Sequence, residues 1–196
     1  NSSSEEGGLC VNGMSYSGRD SGKANSAIIF SVSKGEYGGE ADPLAGIALQ
    51  RDFEKKAFSL AGGKVPYSRY DRIKNVASEE KAQDLMLKGQ GEECDISSLF
   101  RLENYPKLSH LEEDLESMEA FGKKIKGFSK GNTLVYGVES RTSSPLRILR
   151  GEDYSTMGRR IYPAGEGAGY AGGIMSAAMD GLKVAESLIL SYDKQG

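Results

Sequence analysis

The chain has no tryptophan, one histidine, two cysteines and five prolines in 196 residues. A single histidine, His110, excludes multi-histidine metal centres, and any Ser-His-Asp or Cys-His site would have to be built on it. Its setting, LSHLEED, reads instead as a helix start: Ser109 and Glu112 have capping-box spacing, which makes His110 an exposed first-turn residue. Cys10 and Cys94 stand far apart and form neither a disulfide framework nor a CxxC motif. That usage suits a reducing compartment, and a cytoplasmic location is expected. No sign of charge dominates, with 25 Lys and Arg against 28 Asp and Glu. This argues against a dedicated nucleic-acid or anionic-membrane binder. The longest apolar runs, 27–32 and 184–190, fall far short of the ~20 residues that span a bilayer. The opening NSSSEEGG is polar and acidic, unlike a signal or transit peptide, and reads as a linker or a cut inside a longer protein.

What the chain has in excess is glycine, 26 residues, about twice the usual share of ~7%. With 38% hydrophobic and 27% charged residues, the rest is ordinary for a folded domain. The elements predict an α+β fold. SAIIFSVS (26–33) reads as a short buried strand. Asp42-Pro43 starts a helix that runs over 43–61 and stops at Gly62-Gly63. A short helix is expected around 78–88. Leu108, Leu111, Leu115, Met118, Phe121, Ile125 and Phe128 recur at spacings of three and four, so one helix is expected over 109–126. Acidic residues open it and Lys123, Lys124 and Lys126 close it, as the helix dipole favours. TLVYGVES, PLRILR and RRIYPA follow as strand candidates, and a last helix ends the chain.

Chemistry concentrates in RRIYPAGEGAGYAGGIMSAAMDGLKVAESLI, where six of the sixteen residues over 158–173 are glycine. The order is short strand, Gly-rich turn, helix. Bare main-chain amides at such a junction can approach an electron-rich group, and the helix start adds about half a positive charge. Ala177, Ala178, Gly181 and Ala185 form a small-residue strip suited to close packing against another element. Gly167, Gly169 and Gly172 match G-x-G-x-x-G, yet only 24 residues follow Gly172. A dinucleotide fingerprint needs a second strand and an acidic residue about 20 positions on, and there is no room for both. If a nucleotide binds here, this segment closes its site.

VNGMSYSGRDSGKANSAIIFSV, DPLAGIALQRDFEKKAF, GVESRTSSPLRILR and YPAGEGAGYAGGIMSAAMDGLKVAE, in that order, resemble the C-terminal half of uncharacterised FAD-dependent dehydrogenases with a glutathione-reductase-type FAD fold, the NAD(FAD)-utilizing dehydrogenase family. The resemblance covers 9–60 and 131–190 and thins over 64–106. It implies an inserted cap or substrate region over 1–158 and the closing strand-loop-helix of a Rossmann-like FAD domain over 159–196. It also implies a missing N-terminal half that would bind the FAD pyrophosphate and adenosine. The cofactor would be FAD, with NAD(P)H open as an electron donor, and the partner a small-molecule substrate.

By the same resemblance Glu166, after Ala164 and Gly165, would accept hydrogen bonds from the ribityl hydroxyls. Gly167 and Ala168 would lie beside it, and Gly172, Gly173 and Ile174 would present amides to the flavin pyrimidine edge. Arg141, Thr142, Ser143 and Ser144 would lie beside the isoalloxazine, with Arg141 pairing an anionic group. Asn12, Ser15, Arg19 and Asn25 are candidates for the substrate side. Tyr16, Tyr162 and Tyr170 are candidate proton donors, with no basis for choosing among them. A rival from another class is a non-catalytic ligand or interaction module whose Gly-rich helix start holds a phosphate or carboxylate. A third is a structural domain with glycines for packing.

Overall fold

The computed structural model describes residues 5–13, 17–20, 22–74, 89–157 and 160–193. The chain divides into two compact units, Asn1–Ser140 and Arg141–Gly196.

The first unit is α+β. Its helices are α1 (Lys34–Tyr37), α2 (Ala45–Leu60), α3 (Tyr70–Ile73), α4 (His110–Glu116) and α5 (Met118–Gly122), with 3-10 turns at Ile96–Phe100 and Pro106–Leu108. A three-stranded sheet has the order β2-β1-β3, built from β1 (Val65–Arg69), β2 (Gly91–Glu93) and β3 (Leu134–Tyr136). β1 pairs in parallel with β2, Tyr67 opposite Glu93, and antiparallel with β3, Tyr67 opposite Tyr136. The helix expected over 43–61 is α2. Asp42 accepts a hydrogen bond from the Leu44 amide at 2.8 Å, so the turn it makes sets the start two residues further on. Gly62 and Gly63 both have positive φ, and Gly63 N donates to Phe58 O, which closes the helix as its sequence predicts.

Leu49, Phe53 and Ala57 of α2 pack with Ile96, Leu99, Phe100, Leu108, Leu111, Leu115 and Met118 in one core. Burying a side chain of this kind contributes about 1.5–3 kcal/mol against leaving it in water. At the rim of the core, the buried Glu54 carboxylate accepts from Ser140 Oγ at 2.7 Å, and Gln50 Nε2 donates to Ser140 O at 2.9 Å. Both bonds tie the end of the unit to α2.

Four expectations are corrected. Residues 26–33 form no strand; Ile28, Phe30 and Val32 pack on the core while Ile29 is exposed, so the alternation is used without a ladder partner. The helix expected over 109–126 is two helices broken at Ser117, whose hydroxyl donates to Asp114 O and whose amide reaches both Asp114 O and Leu115 O. Its stripe is buried through Met118, but Phe121 and Ile125 are exposed. Ser109 makes no capping bond: its backbone is helical, φ −58° and ψ −26°, instead of extended, and the Glu112 side chain pairs with Arg101. PLRILR and the residues around Tyr162 carry no sheet ladder, and β3 is the part of TLVYGVES that does. The helix expected over 78–88 lies outside the described residues.

The second unit consists of an extended segment, the Gly-rich turn and α6 (Ile174–Asp193). Ala168, Val184, Ser155 and Pro163 are buried in it. The apolar residues of α6 are mostly open: Ile174 is 90% exposed and Met175 75%, and Met179, Leu182, Ile189 and Leu190 are exposed as well. Ala178 and Ala185 of the small-residue strip are also exposed, and nothing lies within 4 Å of where a Cβ on Gly181 would be. No helix among the described residues is long and apolar enough to cross a membrane.

Candidate functional site

In the second unit, residues 144–150 run alongside the Gly-rich turn and hold its two ends. Ile148 N donates to Ala168 O at 3.1 Å, Arg147 Nε to Gly169 O at 2.9 Å, and Tyr170 Oη to Ile148 O at 3.1 Å. Ser144 Oγ is 2.9 Å from Leu146 O and 3.2 Å from Gly167 O. The turn also folds on itself, with Gly169 N bonded to Glu166 O and Tyr170 N to Gly165 O. Gly165 and Gly169 sit at φ 72° and 81°, the left-handed region that an L side chain resists.

At the centre stands Arg150, 8% exposed, paired through both guanidinium nitrogens with Asp180 of α6, 12% exposed. The distances are 3.0 Å from Nη1 to Oδ2 and 2.6 Å from Nη2 to Oδ1. Nη1 also donates to Pro163 O at 2.6 Å, and Asp180 Oδ2 also accepts from Gly165 N at 2.9 Å. The guanidinium lies over the Tyr170 ring, 3.6 Å from its centroid, and over that of Tyr154 at 4.6 Å. A planar fork that serves a carboxylate, a carbonyl and two ring faces is work that lysine cannot do.

The hydrogen bonds from Arg150, above all, hold the Asp180 carboxyl down at about 2, helped by the Gly165 amide and opposed by burial. Because its folded pKa lies below the unfolded value, the pair's contribution is present above about pH 4 and lost as pH falls from 4 towards 2. An acid titration of the isolated chain is therefore expected to show a loss of C-terminal-unit stability in that window. Asp180→Asn should remove that component of the pH dependence; an unchanged acid profile in the variant would contradict the assignment.

The clamping leaves a defined remainder. Among the described residues, the amides of Glu166, Gly167, Ala168, Gly172, Gly173 and Ile174 have no hydrogen-bond partner. No atom lies within 4 Å of where a Cβ on Gly167 or Gly172 would be, so neither glycine is required by packing within the described structure. Glu166, Gly167, Gly172 and Ile174 are exposed. Exposed residues with unpaired amides, Gly172 and Ile174 at the start of a 20-residue helix and Glu166 and Gly167 in the turn before it, suit a flat, electron-rich group. The residues present therefore fit a flavin edge.

The sequence candidates sort unevenly on this frame. Ser144 is brought to Gly167, and Ala168 is buried and bonded through its carbonyl. The Gly165 amide is taken by Asp180, so this residue shapes the turn rather than offering a donor. Tyr170 donates its hydroxyl to Ile148 O and lies with its ring against two arginines. Arg141, Thr142 and Ser143 are exposed, and each has interactions of its own. Asn12, Arg19 and Asn25 are exposed residues of the first unit, Asn25 beside Gly13. Ser15 and Tyr16 lie outside the described residues. Among the described residues, no group of three or more His, Cys, Asp or Glu could hold a metal.

Sequence reasoning missed Arg150 and Asp180. A signal was present: Asp180 is a lone charge inside the apolar stretch IMSAAMDGL, where an acidic residue calls for a partner.

Two comparisons bear on this geometry. The family "FAD-dependent protein, C-terminal domain-like" matches residues 1–142, the whole of the first unit and none of the Gly-rich turn. An uncharacterized protein of Clostridium beijerinckii is 41% identical over 197 residues, covering 97% of this chain and 35% of its own length. The chain therefore spans about a third of that relative, and the likeness extends through the Gly-rich turn and α6.

Proposed function

The chain belongs to the FAD-dependent protein, C-terminal domain-like family, and on that premise we propose that it forms the C-terminal part of an FAD-dependent oxidoreductase, a dehydrogenase acting on a small molecule. The observation that carries the reading is the clamped turn with its six unpaired amides and the open space before Gly167 and Gly172. The flavin, when bound, would supply hydride exchange with the substrate. The chain's own residues would bind and polarise: Gly172, Gly173 and Ile174 donate to the pyrimidine edge, where charge grows on reduction, and Glu166 accepts from the ribityl hydroxyls. Arg141, Thr142 and Ser143 would face the substrate side of the ring.

The rest of the polypeptide would bring the pyrophosphate half-site and cover the exposed apolar face of α6. The twofold length of chain beyond the matched third of the Clostridium relative supports such a partner region. An acidic residue within the turn itself, Glu166, disfavours the rival reading, a site for free phosphate, since a like charge would oppose it. The test is colour and binding. The full-length polypeptide should purify yellow with stoichiometric FAD, while the 196-residue chain should be colourless and bind FAD weakly. A folded, full-length protein that takes up no flavin would refute the proposal.

A further inference from the structure

We infer that Arg150 and Asp180 are positioning residues for the flavin: together they staple the Gly-rich turn to α6 so that the amides of Glu166 and Gly167 are held open for the ligand. The inference rests on the flavin reading above. Its warrant is the division of labour within the turn. The entry is fixed by Arg150 to Pro163 O and by Asp180 to Gly165 N. The exit is fixed by Arg147 to Gly169 O and by Tyr170, stacked on Arg150, to Ile148 O. Each end is held from outside the turn, and the amides between them are left without partners. A turn that served only to reverse the chain would have no need for a nearly buried charge pair reaching across thirty residues. Holding donors in place before the ligand arrives removes their ordering cost from binding, which is what a preorganised site requires.

Asp180 is the better member to probe, because asparagine keeps its size and one acceptor oxygen while weakening the grip on Arg150 and Gly165 together. The experiment compares wild type, Asp180→Asn and Val184→Ala in the full-length, FAD-binding protein. Val184 is buried in the same unit and its hydrocarbon side chain makes none of the hydrogen bonds named above, so its variant reports loss of packing without loss of those bonds. FAD affinity, the visible spectrum of the bound flavin and hydrogen exchange at the Gly165 amide are measured below the unfolding transition. Asp180→Asn is expected to bind FAD at least ten-fold more weakly, to shift the flavin band, and to expose the Gly165 amide. Val184→Ala should lower the melting temperature with affinity and spectrum near wild type. If Asp180→Asn binds FAD as wild type does, or if both variants weaken binding alike, the positioning role is overturned while the flavin reading stands. If the wild-type protein binds no FAD, the flavin reading falls and takes this inference with it.

Discussion

Replacing Arg150 by methionine is expected to destabilise the C-terminal unit by about 3 kcal/mol, the low end for orphaning one member of a buried ion pair. The substitution keeps most of the apolar stem and removes the charge, so the loss is electrostatic. Asp180 would be left 12% exposed with only the Gly165 amide as a named partner, and Pro163 O would lose its donor. The stacking over Tyr154 and Tyr170 would go as well. Arg150→Lys should recover the charge and little else, because an ammonium cannot be bidentate to Asp180, reach Pro163 O and lie flat on two rings at once. Urea unfolding of the isolated chain, followed by the Tyr154 and Tyr170 ring signals, measures this directly. The core of the first unit contains neither Arg150 nor Asp180, and its own transition is expected to be unmoved by the variant. If Arg150→Met leaves the C-terminal transition where it was, the pair is not what holds this unit together. The double variant Arg150→Met, Asp180→Leu should be more stable than Arg150→Met alone, since removing both charges leaves none unpaired.

How far the sequence could be read depended on whether the deciding contact was local. The helix at 45–60 was legible because its start and stop are written within a few residues of it, in Asp42-Pro43 and Gly62-Gly63. Residues 26–33 were half legible: the apolar run does reach the core, through Ile28, Phe30 and Val32, but whether an extended run becomes a strand depends on a neighbour that no local pattern names. The stripe through 108–128 carried helical spacing past the point where Ser117 captures Asp114 O and breaks the helix; periodicity counts side chains and is blind to that competition for a carbonyl. The Gly-rich turn announced itself by composition, whereas its contact with Ser144 through Gly167 O, 23 positions apart, had no local signal. The residues that hold the turn were illegible, since Arg150 and Asp180 are thirty positions apart and each, taken alone, is an ordinary charge. The glycine-by-glycine roles were hidden for a similar reason: Gly165 and Gly167 look alike in the sequence, and only the fold assigns one amide to Asp180 and leaves the other open.

That distinction among glycines yields the second large effect. Gly169→Ala is expected to destabilise the C-terminal unit by about 2–4 kcal/mol, whereas Gly167→Ala should leave its stability nearly unchanged. Gly169 combines two demands. Its φ is 81°, and a Cβ there would stand 2.5 Å from Leu146 O and 2.9 Å from Arg147 Cα. Both obstacles are backbone, in the very segment that Arg147 and Ile148 bind to the turn, so relief would require pulling 146–148 away and breaking the Ile148 N to Ala168 O bond. Left-handed strain and overpacking therefore add. Gly167 carries neither demand: its φ is not in the left-handed region, and no atom lies within 4 Å of its would-be Cβ. An alanine there also restricts the unfolded chain, which offsets any small loss. The same methyl would project into the space before the unpaired amides, so in the full-length protein Gly167→Ala should weaken FAD binding with the melting temperature of the apoprotein preserved. Gly169→Ala should lose both. Thermal unfolding of the isolated chain and FAD titration of the full-length protein separate the two outcomes. A Gly167→Ala variant that binds FAD unchanged would mean that the space before the turn is not where the ring lies.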